Sequence, residues 1–282
     1  MSKHHRDLVD DTTQIVLARA RIPKLVAGEL RPAFDSIEVL KGEVPEHFVL
    51  ESRDGLDVSP WGALTFAGED SDFDGHKHIA FWDQGLTRQW NDTDCVMRPR
   101  FEPGETYLLF VDHPHWAAYE LIRREDDLWL QAVRNLVADP SRVSGISLTV
   151  PEWLSLAPRA FVIRFNSCET LDTEKVEVLL GDENAPFPDF RHQRPTRYYG
   201  SRQGCEPGMS LLTLVYYQSE ADPDWVLSAN FDVIDGKVDF SKAIDGEMID
   251  GTRVDTTELE VIGSRTWGLE ELKMELARLR QP

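Results

Sequence analysis

The sequence predicts a mainly β fold with flanking helices, an α+β architecture of two tandem, mostly antiparallel barrels of about five strands each. Three observations predict it. The same ordered pattern occurs twice: DLVDD, IVLARA, IEVLKGE and FEPGETYLLFV near the start, then EWLSL, AFVIRF, VEVLLGD and CEPGMSLLTLV in the second half. The shared segments are mostly short runs of β-branched and aromatic residues. Finally, 282 residues exceed the size at which one core keeps growing, so two units are expected.

Each element follows in order. DLVDD reads as a short helix, and Leu8 and Val9 match Trp153 and Leu154 of EWLSL at an offset of 145. The strand Ile15–Ala20 matches Ala160–Phe165 at that same offset. In the next strand Ile37 and Val39 alternate with Ser36 and Glu38, as a half-buried strand requires, and match Val176 and Val178 at an offset of 139. The first connection is therefore shorter in the second copy. Gly42 and Gly181 end these strands in turns. Glu102-Pro103-Gly104 matches Glu206-Pro207-Gly208 at an offset of 104, with Pro fixing φ and Gly allowing a positive φ. The first copy thus carries about 35 extra residues, an insertion spanning roughly 55–94.

Hairpins are expected after each Glu-Pro-Gly strand. One joins YELI to LWL around Arg123–Asp127, and one joins ANFDVI to KVDF around the hairpin dipeptide Asp235-Gly236. LQAVRNLVADP places Leu130, Val133, Leu136 and Val137 on one helical face, and GLEELKMELARLR does so with Leu269, Leu272, Leu276 and Leu279. With Ser141–Gly145 as linker, the domains are 1–140, with its insertion, and 146–282, ending in the C-terminal helix.

Charge restricts the partners. Fifty acidic against 30 basic side chains give a net charge of −20, a field that repels phosphate backbones, so nucleic acid is excluded as a partner. Acidity serves solubility, or it attracts cations or a basic protein. No stretch approaches the roughly 20 apolar residues of a membrane-spanning helix. Cys95, Cys168 and Cys205 are too few for a disulfide scaffold and too scattered for structural zinc, although Cys168 and Cys205 share the second copy and are placed to pair.

The insertion concentrates candidate chemistry. Asp70, Asp72, Asp74 and Gly75 spell D-x-D-x-D-G, the opening of a calcium loop. The twelfth position is Phe81, where a bidentate Glu is needed, so the alternative is a solvated acidic turn. His76 and His78 are two apart; on a strand both would face one metal ion, with Asp74 or Asp83 adding an oxygen. The candidate ions are Ca2+ or Zn2+, and no other cofactor is expected. There is no nucleophile elbow and no Gly-rich phosphate loop, so the chain does not read as an enzyme. Trp82 and Trp90 of the insertion, and Arg197, Tyr198 and Tyr199 of the basic stretch RHQRPTRYYGSR, are the candidate partner-binding residues; the alternative is that they pack their own loops.

A helix, IVLARA, IEVLKG and F-x-x-G-x-x-YLLF in this order resemble the bacterial branch of the netrin-like superfamily, relatives of the tissue inhibitors of metalloproteinases. Segments 7–42 and 99–130 carry the resemblance, and VEVLLGD with CEPGMSLLTLV repeats it more weakly. It implies two OB-type barrels and an exported, periplasmic or cell-envelope protein acting by contact rather than catalysis. Those inhibitors chelate the protease zinc with an N-terminal cysteine; Met1-Ser2-Lys3 stands here, so inhibition is not carried over. A signal segment removed from the chain, or an upstream cysteine bearing a lipid anchor, would reconcile the resemblance with this start. The expected function is non-catalytic binding of a protein or envelope component through loops. The alternatives are a metal-binding domain on Asp70–His78, or an immunity-type protein, cytoplasmic in one version, that neutralises a basic partner.

Overall fold

The computed structural model describes residues 5–52, 56–58, 75–77, 79–82, 98–113, 118–142, 144–167, 169, 172–183, 207–218, 226–241 and 259–280. It is mainly β with flanking helices. The chain divides into two compact units, Met1–Lys77 with Leu86–Ile146, and His78–Gly85 with Ser147–Pro282.

The first unit runs α1 (His5–Asp11), β1 (Ile15–Val26), β2 (Glu29–Lys41), β3 (His47–Val49), β4 (Thr106–Phe110) and β5 (Tyr119–Leu121). The single turn α2 (Ile79–Trp82) falls in the second unit, and α3 (Leu128–Ala138) completes the first. Its strands form one sheet in the order β3-β2-β1-β4-β5. Ile15–Ala18 of β1 are buried on both faces. Trp129 of α3 stacks on Phe110 with ring centroids 5.8 Å apart, and α1 packs on α3.

The second unit contains β6 (Ile146–Thr149), α4 (Val150–Ser155), β7 (Arg159–Ser167), β8 (Asp172–Leu180), β9 (Ser210–Gln218), β10 (Val226–Ile234), β11 (Lys237–Asp239), β12 (Leu259–Ile262), β13 (Thr266–Gly268) and α5 (Leu269–Leu279). Six strands form a sheet in the order β13-β11-β10-β9-β7-β8, and β12 pairs with β6. A capping box starts α4: Glu152 N–H reaches the Thr149 hydroxyl, and the Glu152 carboxylate accepts the Thr149 N–H at 2.7 Å.

The two units repeat each other residue by residue. Val16 faces Val39 and Leu17 faces Glu38 in the first; Phe161 faces Val178 and Val162 faces Glu177 in the second. These pairs keep the offsets 145 and 139. The β-bulges recur as well, between Leu17 and Ala18 and between Val162 and Ile163. On the other edge Ile15–Arg19 pair with Phe110–Thr106, and Ala160–Arg164 with Leu214–Ser210. The Gly104 N–H donates to Ala20 O at 2.8 Å and the Gly208 N–H to Phe165 O at 2.7 Å. Strand order β2-β1-β4-β5 thus recurs as β8-β7-β9-β10. In each unit the last helix is also tied to the second strand by an ion pair, Arg134 to Glu38 and Lys273 to Glu177, with partners 96 residues apart in both.

Gly42 and Gly181 are required for one reason in both copies. Each has a positive φ, +73° and +97°. A Cβ on Gly42 would lie 2.2 Å from Thr13 O, and one on Gly181 would crowd Arg159 Cγ at 3.0 Å and Pro158 O at 3.3 Å. Thr13 and Pro158 are themselves related by 145.

Two expectations are revised. Neither sheet closes into a barrel among the described residues; β3 and β5, three residues each, stand at opposite edges of the first sheet. The hairpin between YELI and LWL does not form. β5 pairs back onto β4, and LWL is instead the first turn of α3, because the Asp127 side chain accepts the Leu130 N–H at 3.0 Å and starts the helix there. The Asp235-Gly236 hairpin is present, with both residues at positive φ and Ile234 opposite Lys237.

Candidate functional site

Buried charge in the first unit gathers around His76, within the insertion. Gly75 and His76 form a tight turn with φ of 70° and 52°, a conformation that is costly for a residue with a Cβ. The His76 ring is wedged between two carboxylates: Nδ1 lies 2.7 Å from Asp127 Oδ2, and Nε2 lies 3.2 Å from Glu120 Oε2. All three residues are at most 1% exposed. Asp127 therefore has two tasks, capping α3 with one oxygen and holding His76 with the other.

Burial alone would push the imidazole's pKa down. Hydrogen bonds and charge from Asp127 and Glu120 outweigh burial and raise it to about 9. At neutral pH the ring is an imidazolium donating from both nitrogens. It has no lone pair for a metal, and its carboxylate partners sit on opposite ring edges, so the three groups do not converge on one ion. A general base needs solvent or substrate access, which this burial denies. The arrangement works as a clamp that fastens the turn to β5 and to the start of α3.

The second unit shows what the fold does without it. By the shared register, Glu120 opposite Leu108 corresponds to Phe231 opposite Leu212. Phe231 packs edge-on against Phe240 at 4.9 Å and Trp153 at 6.1 Å. An aromatic cluster fills that position as well as a charged one does. The His76 clamp is an addition of the first unit.

The expected site residues fall as follows. Asp70, Asp72, Asp74, His78, Trp90, Cys95, Cys168, Arg197, Tyr198, Tyr199 and Cys205 lie outside the described residues. His76 is in a left-handed turn, so strand spacing, which would aim it alongside His78, does not apply. Among the described residues no group of His, Cys, Asp and Glu is arranged to hold a metal ion. Trp82 is 1% exposed and meets Phe81 edge-on at 5.2 Å, so its ring is core and offers no face to a partner.

A different surface is open. β1 and β2 extend past the sheet as a two-stranded ribbon, turned by Ala27-Gly28 at φ of 50° and 89°. Pairing with β4 ends at Arg19, and among the described residues the hydrogen bond from Leu50 N–H to Pro32 O at 3.0 Å is the last backbone bond on the β2 side. Beyond it Lys24 faces Arg31, Leu25 faces Leu30 and Val26 faces Glu29. Ile22 is 79% and Leu25 70% exposed, with Leu30 and Val26 also exposed. In the second unit β7 and β8 pair as far as Ser167 opposite Asp172, and no such ribbon occurs among the described residues. The six residues by which the first connection is longer are spent here.

No known family model and no solved structure matches this chain. Among the described residues no helix is long and apolar enough to cross a membrane.

Sequence reasoning missed Glu120, Asp127 and the ribbon. Glu120 between Tyr119 and Leu121 reads as the solvent-facing position of an alternating strand, yet all three are buried. Asp127 before LWLQAV carried a usable signal, an N-cap residue ahead of a helical period.

Proposed function

We propose that this chain is a non-catalytic binding protein of the cell envelope, built from two copies of one OB-type unit, and that the β1–β2 ribbon is its contact surface. The ribbon carries the reading: it is exposed, apolar along one face, and dispensable to the sheet, since the second copy turns without it. The order β3-β2-β1-β4-β5 is that of an OB barrel opened between β3 and β5, which supports the netrin-like resemblance. A non-catalytic role fits the closed His76 clamp, whose ring nitrogens are both engaged.

The test is a photo-crosslinking residue at position 25 in the full chain, expressed in cells. A control carries it at position 274, where the native methionine is 67% exposed in the second unit. A covalent adduct formed from position 25 and not from 274 is expected. No adduct from position 25 under any growth condition would remove the ribbon as the contact surface.

A further inference from the structure

The ribbon's chemistry points to a particular occupant. Ala20 and Phe34, cross-strand partners in the core, lie on the same face as Pro32, Leu25 and Leu30 by strand alternation, so the core face runs on outward into water. Its opposite face carries Arg21, Lys24 and Arg31 against Glu29 and Asp35, an excess of one positive charge in a chain of net charge −20. Arg21 is paired with Asp35, and Arg31 with Glu29 and the Ser52 hydroxyl.

We propose that the ribbon tip seats in an anionic lipid bilayer surface, with Leu25, Leu30 and Ile22 at the headgroup–acyl boundary and Lys24 reaching lipid phosphates. The inference rests on the ribbon being the contact surface.

Three arguments select a bilayer over a protein. The exposed aliphatic side chains offer roughly 200–300 Å² of apolar surface, against about 800 Å² per partner in a stable protein interface; insertion into lipid has no such threshold. Strand addition is obstructed, because Pro23 lacks an N–H and the register shifts between Arg21 and Lys24. Lys24 also stands one residue from Leu25 at the tip, the layout of interfacial elements whose cationic side chains snorkel to the headgroups.

The acidic bulk does not forbid this. From Pro32 to the turn at Gly28 the ribbon reaches about 13 Å, beyond the Debye length of about 8 Å at physiological ionic strength. At the tip the body's negative field is largely screened.

Flotation of the full chain with phosphatidylglycerol–phosphatidylcholine vesicles tests it, with phosphatidylcholine alone as the comparison. The wild type should float with the anionic vesicles and much less with the neutral ones. L25A should lower partitioning about tenfold, from lost apolar burial. K24E should lower it roughly thirtyfold, from reversing one charge near the surface. A variant in which Ile22–Arg31 is replaced by a short turn, checked for folding by circular dichroism, should not float. Failure of the wild type to float overturns the proposal, as does flotation that survives the ribbon replacement; equal flotation on both vesicle types overturns the anionic part. A protein adduct from position 25 with no vesicle binding would overturn the lipid assignment and leave the ribbon as a contact surface.

Discussion

Alkaline pH should loosen the first unit through His76. Its folded pKa of about 9 stands above the ordinary 6.5, so the proton is bound more tightly in the folded chain than in the unfolded one. A group with a raised folded pKa contributes stability that is fully present below the unfolded value and is lost as pH rises through the folded one. The difference of about 2.5 pH, at 1.36 kcal/mol each, makes the contribution about 3 kcal/mol. That is a large part of the roughly 5–15 kcal/mol that holds a domain together. Urea unfolding at about pH 6, 7.5 and 9.5 would show the midpoint falling steadily across the window between 6.5 and 9. The paired variant H76L/E120L, which removes the titrating ring and one carboxylate while leaving Asp127 on α3, should be nearly flat there. Histidine-selective NMR reads the same proton directly from the His76 ring. The reasoning fails if the ring titrates near or below 6.5, or if the paired variant shows the same slope as the wild type.

Other perturbations follow from the same geometry. Glu120→Ala leaves an imidazolium short of one partner in the interior and should cost about 3–5 kcal/mol in chemical unfolding; a cost below 1 kcal/mol would mean the cluster is hydrated. Replacing Ile22–Arg31 by a short turn should change stability by about 1 kcal/mol or less, because the removed side chains are mostly exposed and a shorter loop closes more cheaply. A large drop in Tm would show that the ribbon holds the sheet. Trp82→Ala should destabilise by about 3–5 kcal/mol, as for other buried aromatic truncations; a wild-type melting curve would place that ring at the surface.

Much of the sheet could be read directly. The offsets 145, 139 and 104, found by matching short motifs, also relate the strand registers, the bulges and the Glu-Pro-Gly turns. The agreement has a physical basis: a one-residue slip would move every side chain to the other face, so buried alternation and bulge position are conserved within each copy's own sequence. The helix start at Asp127 was legible in principle and was obscured because Leu128-Trp129-Leu130 is as acceptable in a strand as in a helical first turn. The candidate site was less legible. A carboxylate in a strand reads as exposed by default, and nothing near Glu120 in sequence reveals that His76 arrives from 44 residues away.

The sequence by itself determined the repeated unit, its strand order in pairs, the turn glycines and the amphipathic closing helices, because these depend on neighbours within a few residues or on alternation along one strand. Tertiary structure alone decided that Glu120 and Asp127 would share one protonated histidine, that Trp82 would be core, and that Leu25 and Leu30 would have no core to enter. Periodicity tells which face of an element is apolar. Whether that face meets another element or water depends on where neighbouring strands end, and here β4 stops pairing at Arg19 while β1 continues to Val26.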